Sequence, residues 1–418
     1  MSDARAELSL EKVFLSDVEI HRQSPIAKAT DLRARVLFHV LLSDVLLIGD
    51  SQCLNTPLFR ALVDPREAEV AARSEAVRAD LGTLLDGGRI RVARRDGQSL
   101  GAVRASQKLR DVEHVPSAGY AEDMDRRTAA HPISYQLATV AAAFKTGVLA
   151  LVEQELRDAD GETRRTLEAA HAFMSGENPL FFKAIRDWED AFQDASGGRT
   201  PEVILALGAV DRAAGEAYRQ ALPTVLGACT AAPRGAQAAI GSSTARVVQE
   251  QHALPAGMLD EFLLGRLPVE VFLEATEQPS RNAMVHELAL LRRGDGPDPA
   301  RLGEAVTEFS AWMQEAFIRT FRDTDERARE VLAGKQNLMR FAVSEDETTG
   351  ALGAGLDVWS TDGTREDYLD VQVLDRSVPD ANGVAGPEPM DERRMRRRLV
   401  QGSAVGGARA SAVASAAV

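Results

Sequence analysis

One stretch constrains this chain more than any other: Val36-Leu37-Phe38-His39-Val40-Leu41-Leu42-Ser43-Asp44-Val45-Leu46-Leu47-Ile48-Gly49-Asp50, its most concentrated apolar run. Its first half has helical spacing. Leu32, Val36, Leu37, Val40 and Leu41 recur on one side, with Thr30 or Asp31 placed to cap the start. Val45–Gly49 has no such stripe. A short β-rich run that stops at Gly-Asp reads as a buried strand, with one helix through the whole run as the alternative.

The residues that follow make this an α/β pattern. Ser51-Gln52-Cys53-Leu54-Asn55-Thr56-Pro57 is polar and turn-like, and Thr56-Pro57 is a helix start with proline at the first helical position. Leu58, Phe59, Leu62 and Val63 face one way. A second start at Asp64-Pro65 leads a longer stripe through Val70, Val77, Leu81, Leu84 and Leu85 to Gly87-Gly88. Arg89–Arg95 alternates, with Ile90 and Val92 between arginines, as a second strand would. Val13–Ile20 adds a candidate edge strand. Open α/β sheets bind ligands beyond the carboxyl ends of their strands, which makes Asp50, Ser51 and Asn55 the candidate site residues. Asx residues also cap and turn chains routinely, so position alone does not separate a ligand from a cap.

The remainder is mostly helical. At 418 residues the chain exceeds one ordinary core, and the reading divides it into five segments. These are a small α/β module over 1–110, a connector over 111–133, a bundle-like helical domain over 134–341, a possible hairpin over 342–376 and a disordered tail over 377–418. The expected fold class is therefore mainly α with a small α/β N-terminal module. The helical stripes include Leu137–Val152, Phe181–Phe192 and Val203–Tyr218, the last ended or kinked by Pro223. Residues 232–256 read as loose. The longest helix begins at Pro299. Leu356–Trp359 and Tyr368–Leu374 are placed to pair across Thr361-Asp362-Gly363.

Charge and cysteine usage narrow the function. A net charge of −14 argues against a general nucleic-acid binder or an anionic-membrane binder. The basic run Arg393–Arg398 is the exception and is placed to contact an acidic partner, although a solvated tail fits it as well. Two cysteines, Cys53 and Cys229, form no disulfide framework and suit a reducing compartment. The charged first residues carry no apolar core, and no stretch of 18 apolar residues lacks a charge. The expected location is the cytoplasm.

The chemical motifs fail one by one. His286-Glu287-Leu288-Ala289-Leu290 opens like a zinc-protease helix but has leucine where the second histidine is needed. Gly334-Lys335 lacks the rest of a phosphate loop. Glu168-Ala169-Ala170-His171 has the spacing of half a di-iron site, with only the poor Asp111–His114 as its mate. Asp123 and Asp125 lie on a charged face. Asp187, Glu189 and Asp190 flank Trp188, so they diverge around a helix. No cofactor is implied. The expectation is a binding or regulatory protein whose partner is a protein or a small molecule. The alternative is a Mg²⁺-dependent phosphoesterase or nuclease at Asp50, which needs further acids, Asp86 and Asp96 being nearest in sequence.

Overall fold

A computed structural model describes residues 11–15, 29–67, 78–106, 116, 118–177, 180–196, 200–232, 244–255, 261–293, 298–321, 326, 336–346, 352–360 and 370–372. Helix is the dominant element among the described residues, and a small parallel sheet lies near the N-terminus. The chain is thus mainly α with a small α/β element, as its periodicities imply.

The apolar run splits where its pattern changes. After β1 (Lys12–Leu15), residues Ala29–Leu41 form α1 and Val45–Gly49 form β2. All five residues of β2 are buried. A strand between two parallel neighbours is covered on both faces, which is why it shows no alternation. Helices α2 (Asp50–Asn55), α3 (Pro57–Val63) and α4 (Gly82–Asp86) lead to β3 (Ile90–Arg95). Gly88, at φ 68, makes the left-handed turn after α4. The middle of the longer helix expected after Pro65, with Val70 and Val77, lies outside the described residues, as do Val18 and Ile20.

The sheet takes in strands that local pattern did not reveal. Past α5 (Leu100–Ser106) and α6 (Ala118–Arg127), Ile133–Tyr135 form β4, where the sequence had suggested a connector running straight into a helix. Then come α7 (Leu137–Asp158), α8 (Gly161–Ser175), α9 (Phe182–Ser196) and α10 (Pro201–Leu226), and only then β5 (Cys229–Ala232). The order is β4-β3-β2-β1-β5, all parallel, with the antiparallel β9 (Asp370–Gln372) beyond β5. Val13 stands opposite Leu46 on one side and Cys229 on the other.

A second sheet holds β6 (Thr244–Pro255), β7 (Gln336–Asp346) and β8 (Leu352–Ser360), all antiparallel. Two expectations change here. Residues 244–255 are a strand rather than a loose stretch, and β8 pairs with β7 while residues 370–372 join β5. A hairpin turn signal states that two strands can meet. It does not exclude a longer partner elsewhere. The tail over 377–418, with Arg393–Arg398, lies outside the described residues, as does Gly334-Lys335.

Two cores result. Val13, Leu15, Leu46, Ile48, Ile90 and Val92 point to one face of the parallel sheet. There they join α1, α3, α12 (Val269–Thr276), α13 (Pro279–Arg293) and α14 (Pro299–Phe321), which follow the short α11 (Glu261–Leu264). Phe14, Val45 and Leu47 point to the other face and meet Leu222 and Leu226 at the end of α10. The second core lies wholly within α7–α10. Helix α10 starts as read, with Thr200 Oγ1 accepting from the Val203 N–H at 3.3 Å. It is not ended by Pro223. It runs on to Leu226 and closes at Gly227, φ 61, whose geometry lets Ala228 N–H reach the Pro223 carbonyl at 2.9 Å. At 26 residues it exceeds α14, which has 23. Helix α7 is long and apolar enough to cross a membrane by length and composition. In this fold Phe144, Val148 and Val152 of its buried stripe lie in the α7–α10 core.

Candidate functional site

Strand order reverses direction at β1. The chain moves outward from β1 through β2 and β3 to β4, then returns to place β5 on the other side of β1. Such a switch point opens a crevice at the carboxyl ends of the strands. A cavity of about 400 Å³ lies there. Its floor is Phe14 from β1, Gly49–Gln52 after β2, Arg95 from β3 and Tyr135 from β4, and its walls come from α7, the start of α9 and the last third of α10. The size lies within the ordinary range for small-molecule pockets, roughly 300–1,000 Å³.

The strand ends are tied together by side chains. Gln52 accepts from the Gly49 N–H at 2.6 Å and donates from Nε2 to the Leu15 carbonyl at 3.2 Å. One amide thus satisfies the ends of two neighbouring strands. A Cβ on Gly49 would stand 3.3 Å from Gln52 Oε1 and 3.5 Å from Leu222 Cδ2, so glycine here admits both at close range. Asp96 accepts from the Leu137 N–H at 3.0 Å and so caps α7 from the turn after β3.

Asp50 is the hub of the floor. It is 1% exposed. Its Oδ2 accepts from Arg95 Nε at 2.9 Å and from the Arg95 backbone N–H at 2.8 Å. Its Oδ1 accepts from Arg95 Nη2 at 2.7 Å, from the Ser51 N–H at 2.6 Å and, at longer range, from Ser51 Oγ at 3.3 Å and Tyr135 OH at 3.5 Å. Arg95 Nη2 also donates to Ser51 Oγ. The bidentate fork holds a guanidinium in one plane and orientation. The hydrogen bond to Asp50 also raises the Arg95 pKa further, so its charge is permanent. Burial, then the neighbouring carboxylate, raises the Tyr135 phenol, which stays protonated.

Of the candidate residues, Asp50 and Ser51 line the cavity and Asn55 does not. Asn55 ends α2, and its Oδ1 is buried without a hydrogen-bond partner. The acids nearest Asp50 in sequence go elsewhere. Asp86 pairs with Arg127 at 2.8 Å and Asp96 caps α7. Among the described residues no three His, Cys, Asp or Glu side chains gather where they could hold a metal. His171 meets Glu153 at 3.0 Å, Glu287 accepts from the Asp298 N–H at 2.9 Å, and Lys183 pairs with Asp187 at 2.6 Å. Residues Asp111–His114 lie outside the described residues.

Sequence reasoning missed the residues that give the cavity its character. Phe144, Phe182 and Tyr218 form a three-ring cluster, with centroids 6.4, 5.6 and 6.4 Å apart. Each comes from a different helix and sits in that helix's apolar stripe, so each looks like ordinary core. Arg95 was visible only as one of several arginines in a strand. Its register, at the end of β3 and opposite Tyr135, is what brings it to the floor.

No family model, curated protein or solved structure matches the chain.

Proposed function

We propose that the protein is a cytoplasmic small-molecule-binding or regulatory protein that holds its ligand in the cavity at the strand ends. The observation that carries this reading is a roomy cavity with aromatic walls whose one acid among the described residues, Asp50, is already saturated by Arg95, Ser51 and Tyr135. Preformed apolar pockets with a few convergent polar groups are the usual form of ligand sites. The phosphoesterase alternative has less to support it. A Mg²⁺ ion at Asp50 would have to displace Arg95, leaving a buried cation unpaired, and it would find no second carboxylate in the lining.

Two fluorescent probes with one aromatic body test the reading: neutral N-phenyl-1-naphthylamine and acidic 1-anilinonaphthalene-8-sulfonate. At least one should bind saturably to a single site and raise the melting temperature by mass action. Ala141→Phe fills the cavity from the α7 wall and should abolish that binding while unfolding stays cooperative. Val140→Trp is the second blocking variant. Saturable binding that survives both variants, or none to the natural chain, rejects the proposal. A thermal shift with Mn²⁺ that Asp50→Asn removes would favour the phosphoesterase.

A further inference from the structure

The cavity has two ends of opposite chemistry. One wall is the ring cluster of Phe144, Phe182 and Tyr218. The floor presents Arg95, whose Nε and Nη2 are spent on Asp50 and Ser51 while Nη1 carries no hydrogen bond among the described residues. Among the described residues three of the lining are cationic, Arg95, Lys183 and Arg219, and one is anionic, Asp50. Lys183 and Arg219 have carboxylate partners in Asp187 and Glu216, but neither carboxylate is part of the lining. The space is therefore bounded by the cationic sides of those pairs.

We infer that the ligand is an amphipathic organic monoanion, with a compact aromatic or branched apolar body against the ring cluster and one acidic group on Arg95. This rests on the cavity being the ligand site. Three other ligand types fit worse. A wholly apolar molecule would desolvate the open edge of Arg95 and give it no acceptor, which costs more than a hydrogen bond gains. A cation would face three like charges. A polyanion would bring several charges against a largely apolar wall, with only one guanidinium held in place to meet them. A single acid uses what is preorganised: a guanidinium fixed in place by a buried carboxylate, beside a surface that needs covering.

The probe pair reads the inference directly. Neutral N-phenyl-1-naphthylamine is the more apolar of the two, so a merely greasy cavity prefers it. The natural chain should instead bind the sulfonate at least about tenfold more tightly, the worth of one charge-assisted hydrogen bond. Asp50→Asn with Arg95→Gln removes both floor charges without stranding either. It should cut the sulfonate preference to about threefold or less. Should that double variant lose its cooperative unfolding, two further measurements carry the test. Lys183→Gln with Arg219→Gln at the rim should weaken only the sulfonate, and so should raised salt on the natural chain. Equal affinities, or a preference for the neutral probe that Ala141→Phe still blocks, overturn the inference and leave the binding reading standing. No saturable binding of either probe overturns the reading itself.

Discussion

The sheet-centred core and the α7–α10 unit are both apolar inside, but they treat buried charge in opposite ways. In the first, the largest fully buried side chains include Arg33, Arg60 and Arg281. Arg281 donates from Nε to the Leu41 carbonyl at 3.1 Å and from Nη2 to the Val40 carbonyl at 2.7 Å, and also reaches the Ser43 carbonyl. It closes the end of α1 from a helix 240 residues away in sequence. Arg33 joins the Gly265 and Leu267 carbonyls, each at 2.9 Å, while pairing with Asp80. A planar fork of five donors suits this work, because several carbonyls can converge on it. Among the described residues the α7–α10 core buries no arginine. Its α10 side is mostly small, with Ala206, Ala209, Ala213, Ala214, Ala217 and Ala221, and these pack against larger residues such as Phe144, Val148, Val152 and Leu167. Its buried acids are Glu189 and Glu216. One region is stitched by long-range hydrogen bonds and the other is held by shape. The cavity lies where they meet, with a pinned floor and walls set by helix packing.

Arg281→Met offers the largest break in that contrast. Methionine covers the same apolar surroundings but leaves the last carbonyls of α1 unpaired. Burial already pulls the Arg281 pKa down to about 10, and the charge is tolerated there because each of its three nitrogens donates a hydrogen bond. The expected loss is about 3–5 kcal/mol, read from the urea midpoint at constant slope. A loss under about 1 kcal/mol would mean that water replaces the guanidinium and that the stitching is dispensable.

An intermediate effect should appear on the other side of the contrast, as a pH dependence. Glu189 on α9 is 7% exposed, and its Oε1 has no hydrogen-bond partner among the described residues. Burial, then Asp211 and Asp190, push its pKa from 4.5 to about 7 against the pull of Arg186. The folded chain therefore keeps this proton after the unfolded chain has lost it. The stability it contributes is complete below about pH 4.5 and is lost as pH rises to about 7. Across that window the chain should lose about 2 kcal/mol, and Glu189→Gln should flatten the slope. Because α9 also carries Phe182 and Lys183 into the cavity wall, probe affinity should weaken over the same range. An unchanged slope in the variant would assign the pH dependence elsewhere.

What could be read beforehand follows the reach of each signal. β2 and α1 were legible because composition and spacing change within one short stretch. The place of Asp50 and Ser51 beside the cavity was legible because they follow directly on the carboxyl end of a buried strand. β4 was not, since three residues, Ile133–Tyr135, carry no periodicity. The β1–β5 pairing was not either, because Val13 and Cys229 are brought together only by everything between them. Tyr218 counted as core by its stripe yet is 50% exposed at the cavity, a distinction that only packing makes. Asn55 shares the polar turn with Asp50, but α2 rotates it out of the cavity lining.

The smallest effect is the sharpest probe of the claim that shape holds the α7–α10 unit. Alanine normally gains about 0.5–1 kcal/mol over glycine inside a helix. At Gly215 a Cβ would meet nothing within 4 Å, so Gly215→Ala should deliver that gain. At Gly147 the same atom would stand 3.2 Å from Ala217 Cβ, where α7 crosses α10. That is tighter than ordinary contact, and the helices must part by a few tenths of an ångström or bear the strain. Gly147→Ala should therefore be neutral or cost about 1 kcal/mol, leaving a gap of about 1–2 kcal/mol between two chemically identical substitutions. Thermal melts of the two variants measure it. The cavity wall should move with the first and not with the second, because Ala141 and Phe144 ride on the same helix as Gly147. Equal stabilisation by both would show that the crossing yields freely. The contrast between a stitched floor and a shape-held wall would then fail at the place where it was tightest.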